Sequence, residues 1–306
     1  MFVITYRKFF YAFSTLTVLL AFAAIIFFGL HFSIDFTGGS QLEVAYPGAR
    51  PDATVVSTKV NSLGLGIATV RPSNNDSFII QTPVISNDQE NAVLSAITFD
   101  ASDTPVVKEF DAVGPTLGKE LEGRAILSII IVILAIVLFI AFAFRGVSKP
   151  VSSYKYGYVA IIALVHDVIL PVGFFSLLGH IYGLQVDTLI VTAILVILGY
   201  SINDTIVIFD RIRENLRRAS DGDRQNKFDT IVGTSLRETF GRSINTSATV
   251  LVALIVLYFL GGEATRTFAL ALIVGVIAGT YSSIFLAAPI LVSLKKAQDK
   301  RNAKKK

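Results

Sequence analysis

Long apolar stretches separated by short polar ones dominate the chain. Six runs, approximately Phe10–Leu30, Ala125–Phe144, Tyr156–Leu178, Thr188–Phe209, Ser243–Leu260 and Thr267–Leu294, are long enough as helices, at about 1.5 Å per residue, to cross a bilayer core. A helix pairs its own backbone groups where no water is present, so each run predicts a membrane-spanning helix. The first run follows Arg7 and Lys8, is too long for a signal-peptide core and has no clear small-residue cleavage site after it. It predicts an uncleaved anchor.

The pattern changes over residues 33–120. There, alternation and helical spacing predict a strand at Gln41–Tyr46 with Leu42, Val44 and Tyr46 on one face, and a helix at Asp52–Leu63 built on Val56, Val60 and Leu63. A strand at Ile67–Arg71 and a turn at Pro72-Ser73-Asn74-Asn75 follow. A strand at Ser77–Thr82, a helix at Asn87–Phe99 and a strand at Val106–Phe110 come next, with Ser86 and Gln89 placed as a capping box. The β-α-β-β-α-β order predicts a ferredoxin-like α+β domain, two helices on one face of a sheet, inserted between spans one and two. It contains no His/Asp/Glu cluster with metal spacing and no nucleophile paired to a base, so its expected role is to touch or move something. The resulting division is 1–32 (N-terminus and first span), 33–120 (external domain), 121–294 (spans two to six) and 295–306 (basic tail).

Composition and charge add orientation. The chain is 53% hydrophobic and 16% charged, with a mean hydropathy of +0.64, too apolar for a soluble protein of 306 residues. Of its 27 Lys and Arg residues, 20 lie in 1–10, 145–155, 211–242 and 295–306, whereas loops 179–187 and 261–266 carry only Arg266. That asymmetry predicts cytoplasmic termini and an extracytoplasmic domain. The same reasoning assigns the basic tail to topology and anionic lipid rather than to nucleic acid. With no cysteine, disulfides, thiol catalysis and cysteine metal sites are excluded.

The candidate chemistry is inside the membrane. Asp204 sits in the fourth run, six residues before Asp210-Arg211 and therefore about 9 Å from that boundary, with Asn203 beside it and Tyr200, Ser201 and Ile208 on its face. A carboxyl in this setting either exchanges protons or closes a structural ion pair. Arg242 opens the fifth run, and Arg242, Asn245, Thr246 and Thr249 form one stripe at i, i+3, i+4 and i+7. Antiparallel packing of spans four and five would let this stripe face Asp204. His166 and Asp167 lie near the middle of the third span, about 100° apart on a helix, so they are not expected to act as one bidentate site: one faces a relay or both are satisfied by Tyr or Ser from other spans. Gly275 and Gly279 form a GxxxG helix-packing face.

Four segments resemble the SecD/SecF family of accessory subunits in bacterial protein export. They are SIDFTGG at Ser33–Gly39, VGPTLGKEL at Val113–Leu121, LVHDV at Leu164–Val168 and GYSINDTIVIFDRIREN at Gly199–Asn215, the last the most specific. The resemblance covers nearly the whole chain and implies that it is one half of that pair. It implies a fold similar to one half of a resistance-nodulation-division (RND) transporter, a SecD partner, and proton flow through Asp204 and Arg242. It further implies a role with the SecYEG channel in the bacterial inner membrane, with YajC as another candidate subunit. There the proton-motive force would pull an unfolded secreted chain outward, each proton supplying about 2.3 kcal/mol per 100 mV. No cofactor and no enzymatic activity are implied. The segment Asp35, Phe36, Thr37, Gly38, Gly39, together with Gly114–Gly118, is expected to be a hinge. Two other readings stand beside this one: half of a small-molecule RND exporter, and an intramembrane aspartyl protease using Asp167 and Asp204. A domain of roughly 90 residues opposes the first, and the different depths of the two carboxyls oppose the second.

Overall fold

A computed structural model describes residues 2–73, 76–99, 104–144 and 151–304. In chain order the elements are α1 (Phe2–Thr5), α2 (Arg7–Phe28), α3 (Ile34–Thr37), β1 (Gly39–Ala45), α4 (Ala53–Asn61), β2 (Thr69–Ser73), β3 (Ser77–Thr82), α5 (Asn87–Ile97) and β4 (Val106–Val113). Then follow α6 (Pro115–Ala143), α7 (Ser153–Tyr182), α8 (Thr188–Arg218), α9 (Asp221–Asn226), α10 (Phe228–Leu260), α11 (Glu263–Tyr281), a π-helical segment Ser282–Ala287 and α12 (Ala288–Ala303). Among the described residues, six helical stretches are long and apolar enough to cross a membrane: Arg7–Phe28, Pro115–Ala143, Tyr154–Tyr182, Thr188–Arg218, Phe228–Leu260 and Ala264–Ala303. The chain is a multi-pass helical membrane protein.

These helices overrun the apolar patterns that predicted them. α10 begins at Phe228, fifteen residues before the apolar run at Ser243, because the polar first half still buries Phe228, Val232, Leu236 and Thr239 at helical spacing. Pro171 stands inside α7 without ending it.

The contacts divide the chain into two compact units, one comprising Met1–Leu30, Leu127–Ile181 and Leu189–Lys306, the other His31–Ile126 and Tyr182–Thr188. The second unit contains a four-stranded antiparallel sheet in the order β2-β3-β1-β4. Leu42 pairs with Ile80 and Val44 with Phe78, and this face, with Tyr46, packs against Val56 and Val60 of α4 and Val93 and Ile97 of α5. Strand alternation and helix spacing thus meet in one core. The Tyr46 hydroxyl donates to the Ile97 carbonyl at 3.0 Å, so its buried polar end is satisfied. Asp52 caps α4 by accepting from the Thr54 amide and hydroxyl, which holds its carboxyl below the usual carboxylate range. At α5 the Ser86–Gln89 capping box is present with both reciprocal bonds.

Two details depart from expectation. β2 continues through Pro72 and Ser73, which pair with Phe78 and Ser77, so the turn read at Pro72 starts later; Asn74 and Asn75 lie outside the described residues. The loop before α8 is part of this unit: Val186 bridges Phe32, Gln185 hydrogen-bonds Gln81, and Arg71 donates to the Gly183 carbonyl.

Candidate functional site

In the helical unit α8 buries Ile190, Ala193, Ile194, Ile197, Leu198 and Ser201 along one stripe, which fixes its rotation and leaves Asp204 half-buried at the edge of that face. Its Oδ1 accepts from the Ser243 hydroxyl at 2.5 Å. Its Oδ2 is buried with no hydrogen-bond partner among the described residues. Arg242 is exposed, and no described ion pair joins it to Asp204. The hydrogen bond to Asp204 comes from Ser243, one position beyond Arg242. Ser243 and Ser247 turn inward, Ser247 joining Tyr200 Oη at 3.0 Å and Thr280 Oγ1 at 2.6 Å. Residues on the neighbouring stripe, Arg242, Asn245, Thr246 and Thr249, therefore turn outward, and Asn203 is exposed as well. A cavity of about 590 Å³ lies along α8 just beyond Asp204, lined by Ile206, Val207, Asp210, Arg213, Thr239 and Arg242 among others.

His166 and Asp167 form a second polar centre. Although they are neighbours on a helix, the imidazole Nδ1 lies 2.8 Å from Asp167 Oδ1, side-chain reach overcoming the angle between the Cβ vectors. Asp167 is fully buried, and its Oδ2 accepts from Ser282 at 2.7 Å and from the Ser201 hydroxyl. Ser283 and Thr205 hydrogen-bond next to this cluster at 2.7 Å. The His166 ring stacks on Tyr281, whose hydroxyl accepts from Ser14 and donates to the Phe10 carbonyl, both at 3.1 Å. His166 Nε2 is buried without a partner among the described residues. The π-helical turn carries Ser282 and Ser283 into this cluster, in line with the tendency of such turns to mark functional sites.

Gly275 and Gly279 let α11 approach α8 closely. A Cβ at Gly275 would lie 2.2 Å from Ile197 Cδ1, and one at Gly279 would lie 2.9 Å from Ser201 Cβ. The Asp35–Gly39 segment is also tightly held. Asp35 Oδ2 accepts from the Thr188 amide and hydroxyl at 3.0 and 2.9 Å, capping the first residue of α8. Thr37 donates to the Ser33 carbonyl at 3.0 Å, and Phe36 is buried. Gly38 and Gly39 have φ of 72° and 134°, and side chains there would meet Pro115 Cα at 2.9 Å and the Thr82 carbonyl at 2.7 Å. A side chain at Gly118 would meet the Phe36 carbonyl at 2.8 Å. These glycines serve close backbone crossing, a reason distinct from the free rotation that predicted a hinge.

The sequence reading missed Ser243 and Ser247. Their i, i+4 spacing, opposite Asp204 and Tyr200, was the available signal.

Six candidate spans among the described residues, with an inserted α+β unit, define a multi-pass helical membrane protein. The sequence profile described as Protein export membrane protein SecD/SecF, C-terminal, matches residues 93–297, and the SecD/SecF GG motif matches residues 23–46. Protein translocase subunit SecF of Anaerolinea thermophila is 40% identical over 94% of this chain and 91% of its own length. The subunit of the same name from Thermobaculum terrenum is 40% identical over 95% of this chain and 93% of its own. The crystal structure of SecDF from Thermus thermophilus superposes with a TM-score of 0.82 at 30% identity, covering 96% of this chain and 38% of that one. This chain thus spans well under half of that longer protein. The chain belongs to the SecD/SecF family of protein-export membrane proteins, and its function is that of an accessory subunit of the Sec translocase. This resolves the choice against a small-molecule exporter.

Proposed function

We propose that the chain is one half of a proton-driven export device of the bacterial inner membrane, completed by a SecD chain. The observation that carries this reading is the open state of the Asp204 site. A carboxyl with one satisfied and one orphaned oxygen lies beside a cavity that Arg242 helps to line, while Asn203, Arg242, Asn245, Thr246 and Thr249 are exposed. Exposed polar side chains on membrane-spanning helices are costly in lipid and economical against a second polar helix face. A SecD half seated there would bring the groups that complete the proton site, with Asp204 taking up and releasing the proton and Arg242 and Asn203 adjusting its charge. The His166–Asp167 pair enters as the group that holds Ser201, and with it α8, in place.

In this reading both termini are cytoplasmic. The β-α-β-β-α-β unit is an extracytoplasmic, ferredoxin-like domain that engages the unfolded client leaving SecYEG, with YajC as a further partner. Proton passage at Asp204 biases the domain between two positions, each proton contributing about 2.3 kcal/mol per 100 mV. The test uses the complex with SecD in vesicles carrying SecYEG. Asp204→Asn is expected to abolish proton flux and proton-driven export while SecD binding and thermal stability persist. The uncharged pair Asp204→Asn with Arg242→Gln is expected to remain inactive. Recovery of flux and export in that double variant would show that the two residues serve only as a structural ion pair and would overturn the reading.

A further inference from the structure

A second cavity, of about 390 Å³, opens where α1 and the first residue of α2 meet the turns of α10 before Ser243. Its walls are Ile4, Thr5, Arg7, Asp229, Thr230, Gly233, Thr234 and Arg237. The volume is within the range of roughly 300–1,000 Å³ that small-ligand sites occupy. Arg237 has no hydrogen bond or ion pair among the described residues, and the single described bond from Arg7 goes to its own chain's Ile4 carbonyl at 3.3 Å. The one acidic wall residue, Asp229, is engaged by Lys296. The cavity therefore presents two guanidinium groups with donors to spare and the hydroxyls of Thr230 and Thr234, a set that matches a phosphodiester.

The surroundings specify where such a group comes from. Arg7 is the first residue of the first span, so the cavity lies at a membrane boundary. Beyond Arg237 α10 exposes Phe240 and Ile244 at i+3 and i+7 on the same face. α10 thus carries a cation at its boundary end followed by an apolar stripe, the order of groups along a phospholipid. We propose that this cavity binds the headgroup of an anionic phospholipid, its phosphodiester held between Arg7 and Arg237 and an acyl chain lying along the exposed apolar stripe of α10. A headgroup with its own ammonium brings that charge against the guanidiniums and binds less well. This assignment depends on the membrane reading of the chain and is independent of the proton site.

The full chain, purified in detergent, is titrated with phosphatidylglycerol, phosphatidylcholine or glycerol phosphate, and bound lipid is counted by native mass spectrometry. Phosphatidylglycerol is expected to bind in preference to phosphatidylcholine. Arg7→Gln and Arg237→Gln are each expected to weaken it about fivefold, and the double variant to erase the preference. The Lys300→Gln, Arg301→Gln pair, elsewhere in the basic tail, serves as the control for general charge and is expected to retain the preference. Thermal melting checks that each variant is folded. Equal binding of both lipids, retention of the preference in the double variant, or loss of it in the control overturns the proposal. Binding of glycerol phosphate as tight as that of the lipid also overturns it, assigning the cavity to a soluble anion.

Discussion

The two carboxyl centres lie on neighbouring faces of α8 and are finished to different degrees. Asp167 is closed: both oxygens are bonded, to His166, Ser201 and Ser282, all from this chain. Asp204 is open, with one oxygen bonded to Ser243 and the other unpartnered, and its polar neighbours face outward. A closed buried network rigidifies the helices that build it, since each member would be costly to leave unsatisfied. An open one has capacity left for a proton or a partner. The difference separates a completed hydrogen-bond network from one with capacity to spare, although both are single aspartates in apolar helices and look alike in sequence.

The contrast can be broken by mutation, and stability is the first measure. Asp167→Ala removes the acceptor for two serine hydroxyls and the imidazole at once. Its expected cost is about 3–5 kcal/mol in thermal or denaturant unfolding of the isolated chain. A loss below about 1 kcal/mol would mean that the closed centre does not hold the bundle. The seam beside both centres comes next: Gly275→Ala drives a methyl into Ile197, with an expected cost of about 1–3 kcal/mol, part of which Ile197→Val should restore in the same chain. Asp204→Asn keeps the Ser243 contact, so its stability change is expected to stay within about 1 kcal/mol although transport is lost. Arg242→Gln is the mildest, within about 0.5 kcal/mol for the isolated chain because the side chain is exposed there. If Arg242→Gln unfolds the isolated chain as strongly as Asp167→Ala does, the open and closed assignments are wrong.

Patterns with a single strong period were legible. Leu42, Val44 and Tyr46 alternate and are buried together, and Ser86 with Gln89 marks its helix start by chemistry alone. The spans were legible in number, less so in length, because the amphipathic first half of α10 lacks a continuous apolar run. Within the sites, the sequence located the titratable groups but not their partners. The stripe at Arg242 was correctly periodic, yet periodicity does not say which stripe turns inward. Packing decides that, and the small Ser243 and Ser247 fit the interior where Arg242 and Asn245 do not. Serine carries little pattern signal in a helix, so hydroxyls that complete a carboxylate site go unread. Gly38, Gly39 and Gly118 show the converse: composition marks special backbone, and only the contacts distinguish a crossing from a hinge.

The sheet has one more consequence. β1 starts at Gly39 and β4 ends at Val113, and these two residues pair with each other. The segment between them therefore begins and ends at one point, as an insert does in a host chain. Such a cassette can be lengthened, exchanged between relatives or excised and closed with a short linker without asking the flanking helices to separate. The contacts from Gln81 to Gln185 and from Arg71 to Gly183 are ones an exchange would have to rebuild on the loop before α8. Variation can thus accumulate within one segment, on an unchanged pair of junction residues.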